Sequence, residues 1–249
     1  GALCYAELAA AVPSAGGEAA FLERGYGRVP AFVFTWATAV VCRPSSLAIT
    51  LVVFGQYVCR MQLGRECKSD APEAMVAAFG GLLATAVVTS SPKLTSRALT
   101  LSTVVSTLAL ALIAVVAVVH VLGSSKATSL AETNVNVDNA SPHLSHYAPA
   151  LFAALWAFDG WNTLAYASEE LSEPHALARI IQTTMLLVTG LYLAANAAFI
   201  AVLPPHLVAG SDTLGVDFGE TVAGTPGGLV VSLVVACATL GSAVGTLFS

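Results

Sequence analysis

The chain contains 249 residues, of which 56% are hydrophobic and only 10% are charged, and its formal net charge is −5. Soluble domains carry about 25% charged residues, so this composition excludes a soluble globular protein and predicts an all-α, polytopic membrane protein. No basic cluster accompanies the acidic balance, and we therefore expect the lipid bilayer, and no nucleic acid, among the partners of the chain.

Apolar runs long enough to cross a bilayer recur along the whole chain. A spanning helix needs about 20 predominantly apolar residues. Because the chain begins without Met and ends inside an apolar run, we expect a fragment of a longer protein. We predict a single transmembrane domain over residues 1–249, with spans at approximately 1–12 (partial), 29–58, 74–91, 98–122, 147–168 (discontinuous), 180–203 and 229–249.

The run at 29–58 is too long for an upright helix and is interrupted by Arg43-Pro44. We predict a tilted helix with a kink at Pro44. Arg43 would lie at membrane depth, where a charge has to face protein or water, and it is either a structural anchor or a functional charge. A small excess of Lys and Arg favours a cytoplasmic location for the connections at 13–28, 92–97 and 169–179.

The connection at 123–146 is polar and has no helical pattern. Its Asn139-Ala-Ser141 sequence is a candidate N-glycosylation site if this loop is extracellular. His143 and His146 have no helix to fix their spacing, so we interpret them as solvated side chains. The five cysteines include no Cys-x-x-Cys pair, which argues against a zinc site. We predict no metal and no cofactor.

The run at 147–168 contains the most informative residues, the sequence Trp156-Ala-Phe-Asp-Gly-Trp-Asn162. A carboxylate in hydrocarbon costs about 2.5–3.5 kcal/mol, and Gly is unfavourable inside a helix. Asp159 and Gly160 therefore indicate a helix that is interrupted where it binds a substrate. The alternative is a continuous packed helix in which Asp159 bonds to a neighbouring hydroxyl. An interrupted helix with this acid would favour an ammonium or guanidinium group.

Four aromatic residues lie in or near the middle of the same run: Trp156, Phe158, Trp161 and Tyr166. They either close a cavity and face a cation or form an ordinary packing or interfacial group. The acidic stretch at 169–174 is either a solvated turn, ended by its proline, or a charged gate element.

Two further observations concern the rest of the chain. Gly241 and Gly245 belong to a face of small residues that predicts close packing between helices. The sequence contains no phosphate-binding loop, no Gly-x-Ser-x-Gly, no His-Glu-x-x-His and no dinucleotide fingerprint. We therefore predict that the protein is not an enzyme.

Several runs, in order along almost the whole chain, resemble the light chains of heteromeric amino acid transporters. These form the L-type subgroup of the amino acid–polyamine–organocation superfamily. The similar runs are Gly1-Ala-Leu-Cys-Tyr-Ala-Glu-Leu8, Ser14-Ala-Gly-Gly17, Tyr26-Gly27, Arg43-Pro-Ser-Ser46, Gly160-Trp-Asn162 with Glu169-Glu170-Leu171, and Gly241-Ser242 with Gly245 and Phe248.

The resemblance implies a twelve-helix fold with two inverted five-helix repeats, of which this chain would hold the end of helix 2 through most of helix 8. It implies Na⁺-independent exchange (antiport) of neutral and, from the residues around Asp159, cationic amino acids or cystine. Because helix 1 would be absent, we expect no transport by the fragment alone. The implied substrate-binding residues are Trp156, Ala157, Phe158, Asp159, Gly160, Trp161 and Asn162.

The resemblance also implies a partner and a location. Cys67 falls where the family keeps the cysteine that forms an intersubunit disulfide with a single-span glycoprotein heavy chain, and the expected location is the plasma membrane. A second hypothesis is a seven-helix receptor or a non-transporting membrane scaffold, since the partial span and six further runs give about that number of helices. A membrane-embedded enzyme is disfavoured, because Asp159 has no evident catalytic partner.

Overall fold

The computed structural model describes residues 2–12, 14, 16–63, 70–123, 147–158, 160 and 176–248. Within these ranges every regular element is helical and no strand occurs, which confirms the all-α class. The elements are α1 (Ala2–Ala11), α2 (Gly17–Tyr26), α3 (Arg28–Ala37), a π-helix (Thr38–Cys42), α4 (Arg43–Leu63), α5 (Asp70–Ser90), α6 (Pro92–Gly123), α7 (Tyr147–Trp156), α8 (Ala176–Val202), α9 (Pro205–Gly210) and α10 (Leu214–Phe248).

Five helices in the described part of the chain are long and apolar enough to cross a membrane. Their outer faces are rich in exposed large hydrophobic side chains, such as Leu101, Leu108 and Val119 on α6. Such faces are favourable in hydrocarbon and unfavourable in water. The five helices are Arg28–Met61, Pro72–Ser90, Pro92–Gly123, Arg179–Val202 and Leu214–Phe248.

The connections are more helical than the sequence predicts. The predicted loop at 13–28 contains α2, and the predicted loop at 92–97 is the first part of α6, separated from α5 by Ser91 alone. Pro92 begins α6, where its missing N–H removes no hydrogen bond. Likewise α10 begins at Leu214, before the predicted start at 229, because a polar, glycine-containing helix precedes the apolar run.

The long first span is continuous but not uniformly α-helical. A π-helical turn, Thr38–Cys42, lies directly before Arg43-Pro44. Pro44 has no N–H, and its ring clashes with the carbonyl four residues earlier in a regular helix; a wider turn avoids that clash. Arg43 is half-buried and engaged in an interaction. Its role as a structural anchor or a functional charge stays a prediction.

The chain divides into two compact units, Gly1–Val41 with Val135–Gly190 and Cys42–Asn134 with Leu191–Ser249. In the first unit, α2 packs against α3, and the rings of Tyr5 and Phe21 meet edge to face with centroids 6.0 Å apart. An ion pair between Arg28 and Glu23, at 3.3 Å, lies on the surface of this unit.

In the second unit, α10 packs against α4, α5 and α6. One buried cluster joins Ala84 of α5 to Ala243 and Val244 of α10. A second cluster contains Phe218 of α10, and the Phe199 ring lies edge to face against it with centroids 5.6 Å apart. The buried members of the second cluster are Ala117, Ala198, Leu203 and Phe218.

Close packing at the small-residue face is confirmed. A Cβ added to Gly241 would overlap the Ser102 side chain of α6, and one added to Gly245 would lie 3.3 Å from Leu99. The Ser102 hydroxyl also donates to the Ala238 carbonyl at 3.3 Å. Glycine therefore lets α6 and α10 approach to a distance that no larger residue permits.

Candidate functional site

The helix that opens the predicted discontinuous span ends early. α7 covers only Tyr147–Trp156, too few residues to cross a bilayer. At its end the Phe158 amide donates to the Leu155 carbonyl at 3.1 Å, a tightened turn of the kind that terminates helices. Two residues later Gly160 has φ of +101°, a backbone conformation that only Gly adopts without strain. α7 therefore ends within this predicted span.

The end of α7 has the electrostatic character of a cation site. The last four carbonyls of an α-helix have no partner in the helix itself, and the summed peptide dipoles place partial negative charge at that end. Trp156 is 54% exposed, Ala157 and Gly160 are exposed, and Phe158 is half-buried. The end of α7 within the first unit is therefore accessible and carries two aromatic side chains. Its partial negative charge would attract an ammonium group, although the Ala153 and Leu155 carbonyls already accept hydrogen bonds from the Ala157 and Phe158 amides.

A second polar group lies in the other unit, where α4 ends and α10 begins. The Arg60 Nη2 atom is 2.5 Å from the Asp217 Oδ1 atom, and only 18% and 11% of these side chains are exposed. Arg60 also donates to the Thr213 hydroxyl, and the Ser211 hydroxyl donates to Asp217. Two opposite charges and two hydroxyls thus form a largely buried network.

The chain matches a known protein family. A model of a protein family described as amino acid permease matches residues 1–249. The chain belongs to the amino acid permease family. The expected resemblance is thereby confirmed, and the family consists of transporters rather than enzymes.

Curated relatives of this permease match over its whole length. It is 34% identical over 256 residues to the b(0,+)-type amino acid transporter 1 of Rattus norvegicus, covering 50% of that protein. It is 32% identical over 250 residues to the large neutral amino acids transporter small subunit 2 of Oryctolagus cuniculus, covering 46%. It is 33% identical over 251 residues to the Asc-type amino acid transporter 1 of Mus musculus, covering 47%. The chain spans about half the length of the curated relatives it matches.

Family membership and the five membrane-length helices together make this permease an integral, multi-pass membrane protein. They also decide against the seven-helix receptor hypothesis and the membrane-embedded enzyme. Among the residues that the structure describes, no group of three or more His, Cys, Asp or Glu side chains is arranged to hold a metal ion.

The structure describes part of the predicted substrate site. Trp156, Ala157, Phe158 and Gly160 lie together at the end of α7. The remaining predicted site residues, Asp159, Trp161 and Asn162, fall outside the described ranges, as do Tyr166 and the acidic stretch at 169–174, the sequon at Asn139, and His143 and His146.

The cysteines of the permease fall into different classes. Cys4, Cys42 and Cys237 are free and exposed, whereas Cys59 is buried. Cys67, the candidate for a bridge to a heavy chain, lies outside the described residues.

Sequence reasoning missed the network around Arg60 and Asp217. Neither residue is a candidate in the sequence analysis, because the two side chains meet across 157 positions of sequence. Local periodicity carries no information about such a pairing. A weak signal was available, because an arginine in the last turn of one apolar helix and an acid beside another can form a pair where both helices end.

Proposed function

We propose that the full-length protein is an amino acid exchanger that works by alternating access. The observation that carries this proposal is the end of α7 at Trp156, inside the predicted span, followed by a non-helical backbone conformation at Gly160. In the membrane such irregular backbone is tolerated where it lines a cavity or is buried in protein. The membership of the chain in the amino acid permease family, and the names of its relatives, support the same function.

In this proposal the α-ammonium group of the substrate binds the carbonyls at the end of α7. Helix ends of this kind hold charged groups in transporters built from broken helices. Asp159 would add a carboxylate for cationic side chains, Trp156 would shape the space for the side chain, and Asn162 would help to close the site. No chemical bond is made or broken, and substrate moves without coupled Na⁺.

The relatives support a range of substrates rather than one amino acid. One is named a transporter of large neutral amino acids, and the others are named b(0,+)-type and Asc-type transporters. We propose neutral amino acids as the core substrates, with cationic amino acids or cystine added by the carboxylate of Asp159. The proposed location is the plasma membrane, with Asn139 as a glycosylation site on the outer side.

Counterflow with the full-length protein in liposomes tests exchange directly. External leucine or arginine should accelerate the efflux of internal labelled amino acid, and replacing Na⁺ by choline should leave the rate unchanged. Efflux that does not respond to external amino acid would contradict the proposal.

Replacing Asp159 by Asn should raise the half-saturating concentration of arginine about tenfold, because a hydrogen bond to a charged partner contributes about 1.5–3 kcal/mol. Leucine exchange should change less than about twofold, since leucine has no second cationic group. Asp159→Glu, which keeps the charge, serves as the matched control. Equal losses for arginine and leucine would show that Asp159 acts on the fold rather than on the side chain of the substrate.

We also propose that Cys67 joins the protein to a single-span glycoprotein heavy chain. Cells that express both chains should yield a high-mass band on a non-reducing gel that disappears on reduction and in Cys67→Ser. Cys42 is free and exposed, so Cys42→Ser is the matched control and should retain the band. A band that survives in Cys67→Ser would assign the bridge to another cysteine.

A further inference from the structure

The buried ion pair involves Asp217 of residues 211–223, which we call the cap segment. This segment consists of a non-helical stretch at 211–213 and the first part of α10. We propose that the Arg60–Asp217 pair is a lock that fixes the cap segment on the end of α4, and that opening and closing of this lock is a step of the exchange cycle. Arg60 and Asp217 are in this view positioning residues, and the inference rests on the proposed exchange function.

The Arg60–Asp217 contact depends on both of its charges. An ion pair removed from water is a poor source of net stability compared with apolar residues of similar volume, whereas removing one partner leaves an uncompensated buried charge. Attachment of the cap segment therefore depends on both charges being present. Asp217 accepts hydrogen bonds on both carboxylate oxygens, from Arg60 and from Ser211. The buried Nε atom of Arg60 has no hydrogen-bond partner among the described residues, so the closed contact is not fully satisfied.

The helix is broken at the end of the cap segment. Gly224 has φ of +67° and ψ of −160°, which are not helical values, and Pro226 follows it. A Cβ added to Gly219 would lie 2.6 Å from the Gly227 carbonyl oxygen. The cap segment therefore folds back closely on the start of the long apolar helix but is not continuous with it. Breaks of this kind at glycine and proline let one rod turn against another.

Apolar contacts connect the cap segment to two further helices. Phe218, the neighbour of Asp217 in sequence, packs with Ala117 of α6, with Ala198 of α8 and with Leu203, which directly follows α8. The cap segment is thus held by charge on α4 and by apolar contact on two other helices. α8 is also the next helix after α7 in the described part of the chain. A shift at the end of α8 would act directly on Phe218 and through it on Asp217.

An exchanger needs an element with two arrangements, because packed interfaces switch between states rather than deform continuously. The cap segment has a helix break at one end. It contacts α4 through the Arg60–Asp217 ion pair and α8 through apolar side chains. We infer that the closed lock seen here stabilises one of the two access states of the transporter.

The test uses the full-length protein in liposomes and two measurements. Asp217→Asn and Arg60→Gln should increase hydrogen–deuterium exchange in residues 211–223 by about tenfold or more, because a buried charge is left unpaired. Apparent affinities scale with the populated fraction of the competent state. The half-saturating concentrations for external and internal leucine should therefore move in opposite directions, each by about fivefold, the lower end of ordinary coupling between states.

Four further variants separate a lock from a general structural role. Arg60→Lys keeps the charge but not both guanidinium contacts, and should give a smaller shift than Arg60→Gln. The double variant Arg60→Gln with Asp217→Asn should be no worse than either single variant, since neither charge is left alone. Thr213→Val removes one hydrogen bond but keeps the ion pair, and should give a smaller shift in the same direction. Glu23→Gln, in the exposed Arg28–Glu23 pair, should change neither measurement, because exposed pairs contribute little.

The possible outcomes test the lock and its role in transport separately. Unchanged hydrogen exchange in Asp217→Asn and Arg60→Gln would overturn the lock. Increased hydrogen exchange with both half-saturating concentrations unchanged, or moved in the same direction, would overturn its role in transport. An absence of counterflow in the wild-type protein would overturn the exchange function, and with it the role of the lock in the cycle, while the hydrogen-exchange comparison would still decide whether the ion pair fixes the cap segment.

Discussion

Replacing Gly160 by Ala is expected to lower the rate of amino acid exchange about tenfold. Gly160 has φ of +101°, where any side chain is strained by about 1–3 kcal/mol. Ala would therefore favour a different backbone path and move the carbonyls at the end of α7 away from the ammonium group. Counterflow of labelled leucine in liposomes, normalised to the amount of inserted protein, measures the effect.

Gly190→Ala is the matched control for this prediction. Gly190 lies inside α8, and a Cβ added there meets no atom within 4 Å. Alanine is favoured over glycine in a helix by about 1 kcal/mol, so this variant should be as active and at least as stable as wild type. An exchange rate in Gly160→Ala equal to that of Gly190→Ala would mean that the interruption of α7 does not position the substrate.

The second large effect is expected for Gly241→Val, which should lower the free energy of unfolding by about 3 kcal/mol. A side chain at this position overlaps Ser102 on α6, and an overpacked contact that cannot relax costs about 1–3 kcal/mol. We choose the upper end because the overlap includes the Ser102 Cβ, which does not move without its backbone. A thermal unfolding series in detergent, with the full-length protein, measures the change.

Two comparisons make the Gly241 prediction specific. Ser102→Gly in the same chain removes the overlapping atoms and should restore most of the lost stability. Gly190→Val introduces the same side chain into open space and should not lower the free energy of unfolding, because valine has a higher helix propensity than glycine. A loss in Gly241→Val no larger than in Gly190→Val would refute close packing of α6 on α10.

The parts of the fold that sequence predicts are those that depend on one helix at a time. Apolar runs of about 20 residues identify membrane helices because hydrocarbon demands both an apolar surface and internally satisfied backbone groups. The charged side chain of Asp159 conflicts with an apolar surface, and Gly160 is unfavourable in a regular helix. α7 ends just before these two residues. The roles of Asp159, Trp161 and Asn162 in binding stay predictions, since they lie outside the described residues.

The parts that sequence did not predict depend on two distant segments or on a departure from hydropathy. The cap segment was missed because residues 214–223 include Asp217 and Glu220 among glycines, so no apolar run marks a helix there. The Arg60–Asp217 pair was missed because nothing in either segment specifies the other. Both follow from tertiary packing, which a single sequence records only as scattered polar residues near span ends.

The π-helical turn at Thr38–Cys42 changes how the first long span is to be mapped. A π-turn inserts one residue relative to an α-helix, and one residue corresponds to about 100° of rotation. A helical wheel drawn from Arg28 therefore assigns residues after Cys42 to the wrong face by that angle. In a cysteine scan of this span, the pattern of lipid-facing and protein-facing positions should shift its phase by one residue between Ala37 and Arg43.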